Sequence, residues 1–319
     1  MKELEEFMET NTGSQVGMSV SAVAFSNAST VSHTSDRLLE LDPGTCTDAL
    51  GRQEFGIRHT VADHPLLSLE AIAELADSLP SGAVERHEAN QPLLVPDGCP
   101  DLSGPPSETV RTIETNGRWM VLWNIEQVAA YRRLLDAILD EAVPFLPARE
   151  GGMGRREAFL FLSAPRAVTP VHFDPEHNFL LQIRGLKEIH VGRFPDREWE
   201  RRELDRYHNG GHRNLVEIPP RSNTFRMQPG DGVYLYPWVP HWVYNGPAVS
   251  ISLSITFRTR RSERVEFAHL FNGRLRRRGL SPRPAGESEY VDRVKAGLTS
   301  LVAWLLRGCR RQRGARDYG

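Results

Sequence analysis

Between residues 158 and 257, six short apolar runs follow one another with turn residues between them and no helical periodicity. They are 158–163 (AFLFLS), 170–174 (PVHFD), 178–183 (NFLLQI), 186–191 (LKEIHV), 232–237 (GVYLYP) and 249–257 (VSISLSITF). Arg184-Gly185 and Pro229-Gly230-Asp231-Gly232 carry the glycine and proline chemistry that reverses a strand. Short strands without crossover helices exclude a βαβ sheet and point to an all-β barrel or jelly roll. No internal repeat is visible.

The rest of the chain frames this block. Residues 10–35 are rich in Ser, Thr, Gly and Asn without sustained periodicity, so residues 1–36 read as a flexible leader. Residues 66–79 place Leu69, Ile72, Leu75, Ala76 and Leu79 at helical spacing behind Ser68, a good N-cap, and predict an amphipathic helix lying outside a sheet. A second helix is expected over 125–142, burying Tyr131, Leu134, Leu135 and Ile138. A domain over 37–257 with its β core at about 158–257, followed by a basic extension over 258–319, is the resulting division. The acidic N-terminus is the reverse of a signal peptide, and no apolar run approaches the roughly 18 residues of a membrane span. Cys46, Cys99 and Cys309 are odd in number and widely spaced, which favours a reducing, cytoplasmic compartment over a disulfide framework.

The residues that carry chemistry are His172-Phe173-Asp174 and, 67 positions after Asp174, His241. On a strand, residues i and i+2 share a face, so one imidazole and one carboxylate converge, and a histidine from a neighbouring strand completes a two-histidine, one-carboxylate triad. Such a triad leaves open positions on an octahedral metal. With eleven histidines in the chain, a chance match is easy, and surface or core histidines are the plain alternative. Lys187 shares a strand face with Ile189 and Val191; it needs an anionic partner if buried, or else snorkels to water from the strand end. In the last run Ile251, Leu253, Ile255 and Phe257 share one face while Ser250, Ser252, Ser254 and Thr256 share the other. The hydroxyl face fits either a barrel interior with room for a ligand or a solvated sheet face.

The run from Thr169 to Lys187, TPVHFDPEHNFLLQIRGLK, resembles the cupin-like JmjC branch of Fe(II)/2-oxoglutarate dioxygenases, and is particularly similar to the asparaginyl hydroxylase of the hypoxia pathway. The shared pattern is TPxHxD, an Asn, and a QI[KR]GxK hairpin with the Lys 13 residues past the Asp. Downstream, PGDGVYLYPWVPHWV is similar to the family's PGD…YxP…H strand. The resemblance is firm from about Phe159 to Phe257 and general before that. It implies a mainly β fold, a double-stranded β-helix (jelly roll, cupin/JmjC-like) with N-terminal helices and a C-terminal helical extension. It further implies that His172, Asp174 and His241 ligate Fe(II), that Lys187 and Thr169 hold the distal carboxylate of 2-oxoglutarate, and that Asn178 sits near the co-substrate or the metal. With O2, such an enzyme hydroxylates a C–H bond and releases succinate and CO2. Two departures stand out: Thr256 replaces an Asn near the iron, and the spacing from Pro237 to His241 is one residue shorter than in the asparaginyl hydroxylase.

His177, His190, His208 and His212 read as non-ligands, and Trp238 and Trp242 as packing residues beside His241. The polar segment 202–214 (RELDRYHNGGHRN) reads as a loop, either a solvated connector or a cover over the site. The formal charge of −2 is a cancellation: the first 257 residues carry −12 and the last 62 carry +10. Within the tail, Tyr290, Val291, Val294, Leu298, Leu301, Val302 and Leu305 form an apolar stripe that predicts a helix over 286–307. That stripe packs on the chain's own barrel or forms a homodimer, as the C-terminal helices of the resembled enzyme imply. The overall balance gives no argument for nucleic acid. The competing class is a non-catalytic cupin-like binding or regulatory module whose basic tail contacts nucleic acid; the substrate of the enzyme reading is a peptide or protein side chain or a biosynthetic small molecule.

Overall fold

A computed structural model describes residues 37–88 and 104–314, with side chains to 301; the expected leader lies outside them. Twelve strands are described, in two antiparallel sheets: β1 (Leu39–Glu40), β2 (Phe55–His59), β3 (Val84–Glu88), β4 (Arg118–Leu122), β5 (Met153–Ser163), β6 (Val168–His172), β7 (His177–Arg184), β8 (Lys187–Gly192), β9 (Arg221–Met227), β10 (Asp231–Leu235), β11 (His241–Asn245) and β12 (Ser250–Thr259). The larger sheet runs β1-β2-β10-β7-β12-β5-β4-β3 and the smaller β6-β11-β8-β9. From β5 onward, successive strands alternate between the two sheets, except that β8 and β9 both lie in the smaller one, which is the double-stranded β-helix.

The two faces of the larger sheet have different partners. Phe179, Leu181, Ile251, Leu253, Ile255 and Phe257 point outward into the main core. That core also takes in the helices α1 (Pro43–Ala49), α2 (Leu69–Ser78) and α4 (Ala129–Ala142); α3 (Pro106–Arg111) packs beside α2. Ser68 caps α2, accepting from Ala71 N–H at 3.3 Å, a contact worth about 1 kcal/mol. In α4, Tyr131, Leu134, Leu135 and Ile138 are the buried face, and the first turn expected at 125–127 is a separate 3₁₀ turn. With the outer face covered by helices, the hydroxyl face of β12 is the barrel interior. Ser250, Ser252, Ser254 and Thr256 are all buried there. A second, smaller core, with Leu180, Ile189, Val191, Phe225, Val233 and Val243, fills the interior beside them, Leu180 being the cross-strand partner of Ser254.

The expected hairpin at Arg184–Lys187 is instead a turn that carries the chain from β7 in the larger sheet to β8 in the smaller one, and it needs a glycine. Gly185 has φ +75°, and a Cβ at that position would lie 2.2 Å from the Val249 carbonyl oxygen. This turn sets where Lys187 enters β8.

Two tail and loop expectations change. Residues 202–208 belong to a helix, α5 (Arg197–His208), capped by Asp196, which accepts from the N–H groups of Glu198 and Trp199. Its polar sequence masked it because it buries little beyond Leu204 and the ion-paired Glu203. The extension holds two helices, α6 (Arg260–Arg276) and α7 (Glu289–Gly314), where one was expected. A reciprocal Thr259–Ser262 capping box starts α6 directly off β12. Helix α7 packs on α6 through buried Asp292, Lys295 and Thr299. Tyr290, Val294, Leu298 and Leu301 face outward, with Tyr290 76% exposed; the side chains of Val302 and Leu305 lie outside those described.

Candidate metal centre and co-substrate pocket

His172 is the last residue of β6 and His241 the first of β11, and the two are cross-strand partners. Asp174 lies just past the strand, in the turn, rather than on it. Its carbonyl accepts the N–H of Trp238 at 2.7 Å, and Trp238 adopts φ +69° to make that bond, a conformation that costs a bulky residue on the order of 1–2 kcal/mol. The same turn supplies the Val239 carbonyl that accepts from His241 Nδ1 at 3.0 Å. The Pro237–His241 loop therefore positions two of the three groups at once.

The donor atoms of His172, Asp174 and His241 all lie within 4.8 Å of one another. Asp174 Oδ2 is 3.9 Å from His172 Nε2 and 3.6 Å from His241 Nε2. Donors about 2.1 Å from a shared ion stand roughly 3 to 4.2 Å apart, so the spacing admits one. His172 Nδ1 lies 2.8 Å from the Pro170 carbonyl. A carbonyl can only accept, so in both histidines Nδ1 carries the proton and Nε2 presents its lone pair to the centre. Burial, followed by the neighbouring His241, lowers the pKa of His172 to about 3, and burial lowers that of His241. Burial alone would raise Asp174, but the adjacent Arg213 guanidinium, together with the two imidazoles, outweighs it and the carboxyl falls to about 2. Two neutral imidazoles and one carboxylate are the protonation states that a divalent metal requires.

The other predicted residues line the barrel around this centre. Lys187, 5% exposed, opens β8 opposite Asn245 and Met227. It has no hydrogen bond or ion pair with any described residue, and burial takes its pKa down to about 7. Asn245, its cross-strand partner, is 2% exposed and leaves its side-chain oxygen without a donor. Thr169 pairs with Val243 across an irregularity in β6–β11, and this irregularity puts Thr169 and His172, three residues apart, on one face. On the facing sheet, Asn178 and Thr256 are cross-strand partners. Asn178 accepts from the Ser254 hydroxyl at 2.9 Å, while the buried Thr256 hydroxyl has no partner. An unpaired lysine and an orphaned hydroxyl in one polar interior fit an anionic, hydrogen-bonding guest, whereas the Asn245 oxygen can only accept from a donor.

Sequence reasoning missed Arg213, which bonds Asp174 Oδ1 at 2.6 Å from 39 residues away, and Asn245. Nothing in the local pattern of HRN or VYN marks either one. His190 is buried on the opposite face of β8 from Lys187, stacked on Trp242 at 5.3 Å; His177 bonds the Tyr234 hydroxyl at 2.7 Å in the outer core. Among the described residues neither of these, nor His208 or His212, is a member of the donor set.

Residues 155–265 match the JmjC domain. The JmjC match begins in β5 and ends in α6, and so encloses the triad, Lys187, Asn178 and Thr256. A structure of YcfD from E. coli is similar over 83% of this chain and 68% of that one, with a TM-score of 0.50 at 16% identity. A second, described as the ribosomal oxygenase YcfD of Escherichia coli in complex with cobalt and 2-oxoglutarate, gives the same score and identity over 83% and 67%. At that identity the likeness is one of fold. No curated protein sequence matches the chain. Among the described residues no helix is long and apolar enough to cross a membrane.

Proposed function

We propose that this protein is an Fe(II)- and 2-oxoglutarate-dependent oxygenase that hydroxylates a C–H bond. The observation that carries the reading is the pairing of a pre-deprotonated His172–Asp174–His241 donor set with an unpartnered, buried Lys187 in one barrel. His172, Asp174 and His241 would hold the metal, and Lys187 the distal carboxylate of the co-substrate, with Thr169, Asn245, Asn178 and Thr256 as the polar surround. When bound, iron and 2-oxoglutarate supply the oxidation: one oxygen atom of O2 enters succinate, the other enters the substrate as a hydroxyl, and CO2 leaves.

The chain's own contribution is orientation and charge. The carbonyls of Pro170 and Val239 hold the two imidazoles in one tautomer, so no proton must move before the metal binds. Lys187 makes the interior selective for an anion, and its cost in the empty protein is relieved only when one arrives. The helices cover the outer face of the larger sheet, and the second core packs apolar side chains into the barrel beside the polar residues.

Both the YcfD neighbour's description as a ribosomal oxygenase and the resemblance to the asparaginyl hydroxylase favour a side chain in a peptide or protein as the substrate over a biosynthetic small molecule. The outward apolar stripe of α7, on a helix that turns its polar side inward, supports a homodimer through that helix. A cytoplasmic location agrees with the cysteine usage. The test is succinate release from 2-oxoglutarate with iron, oxygen and pools of candidate peptides and metabolites. Iron-dependent release that His172→Ala abolishes is expected. A chain that binds metal yet never turns over 2-oxoglutarate would favour the binding-module reading.

A further inference from the structure

Asp174 has two oxygens, and they have different partners. Oδ2 faces the two Nε2 atoms, and Oδ1 accepts from Arg213 Nη1 at 2.6 Å. We propose that Arg213 is a positioning residue that holds Oδ1 away from the metal position, so that Asp174 offers one oxygen and the remaining positions stay open for co-substrate and O2. The inference rests on the metal-site reading above and adds to it a residue outside the donor set.

Two independent anchors fix Arg213. Its backbone is stitched to the triad strand: Phe173 N–H donates to the Arg213 carbonyl at 3.4 Å, Leu215 N–H to the Val171 carbonyl at 2.9 Å, and Asn214 bridges to His172. Its guanidinium carbon lies 5.6 Å from the centroid of the Trp123 ring. Trp123 in turn donates its indole N–H to Glu85 on β3 at 2.7 Å. Arg213 thus spans from a strap beside the smaller sheet to the extension of the larger one, and the carboxylate it grips sits between them. A planar cation clamped on one face by an aromatic ring has little freedom to swing. Without it, the Asp174 carboxylate, outside the strand and held through its backbone by Trp238, is free to rotate about its terminal torsion and present either oxygen or both.

The test uses full-length protein and Co(II) as the probe, read by calorimetry and by the visible absorption of the bound ion. Loss of such a second contact typically weakens metal binding by about 10- to 100-fold. Arg213→Gln, which keeps a donor but not the charge or fork, should raise the Co(II) Kd by that range and change the absorption band, since band intensity reports coordination number. Arg213→Lys, which keeps the charge alone, should recover part of the affinity. Urea unfolding of the metal-free variants serves as the control for a merely structural role; if the Gln variant does not fold, a several-fold Kd shift and an altered band in the Lys variant carry the same meaning. An unchanged Kd and band in folded variants overturns the positioning role. Wild-type protein that binds no Co(II) overturns the metal-site reading instead.

Discussion

Lys187→Met separates the energetics of the empty site from those of the filled one. The ammonium's pKa drops from 10.5 to about 7 in the folded chain, with burial as the cause. That difference amounts to a folding penalty on the order of 5 kcal/mol whenever the group is protonated in both states. The sign follows from proton counts. Below about pH 7 folded and unfolded chains both keep the proton, and the full penalty applies. Between about pH 7 and 10.5 the unfolded chain keeps it while the folded chain releases it, so ligand-free stability rises with pH by up to about 1.4 kcal/mol per unit. Methionine has similar length and no charge. Ligand-free Lys187→Met should therefore be more stable than wild type, and its advantage should shrink by roughly 2–3 kcal/mol between about pH 6.5 and 9. Urea unfolding at several pH values measures this. The same variant should lose 2-oxoglutarate binding, and wild-type affinity should fall by roughly tenfold per unit above about pH 7 as the lysine must first be reprotonated. Parallel pH–stability curves for the two proteins, or undiminished 2-oxoglutarate binding by the variant, would refute the assignment of Lys187 as a buried anion receptor.

Gly185→Ala forces a Cβ to within 2.2 Å of a backbone oxygen at φ +75° and should cost on the order of 3 kcal/mol or more, seen as a lowered urea midpoint; a neutral result would refute the need for glycine in this turn. Leu298→Asp places a charge in the exposed stripe of α7 and should convert a dimer to a monomer by light scattering with little change in intrinsic stability, whereas a wild-type monomer removes the dimer proposal.

The alternation of apolar residues from 158 onward made the barrel legible, because on a period of two the buried face of each strand can be read directly. It left the hydroxyl face of β12 undecided, since Ser252 and Ser254 look the same facing water or a cavity. Only the helices packed over Ile251, Leu253 and Ile255 decide it, and those contacts link residues far apart in sequence. His172 and Asp174 do converge, but by a turn held by Trp238 rather than by strand alternation, and Thr169 joins their face through a strand irregularity that no pattern announces. Helix α6 was invisible for a related reason: what it buries is Ser262, Ala268, Asn272 and Gly273, with no apolar stripe to detect. Arg213 illustrates the limit, since an arginine in a polar segment is ordinary until the chain brings it against a carboxylate 39 residues away.

Anaerobic equilibrium binding of Fe(II) tests the central claim most directly. The wild-type chain should take up about one ion with His172, Asp174 and His241 as ligands, and both Asp174→Ala and His241→Ala should take up none while remaining folded. Stoichiometric iron retained by a folded His172→Ala, Asp174→Ala double variant would contradict the account.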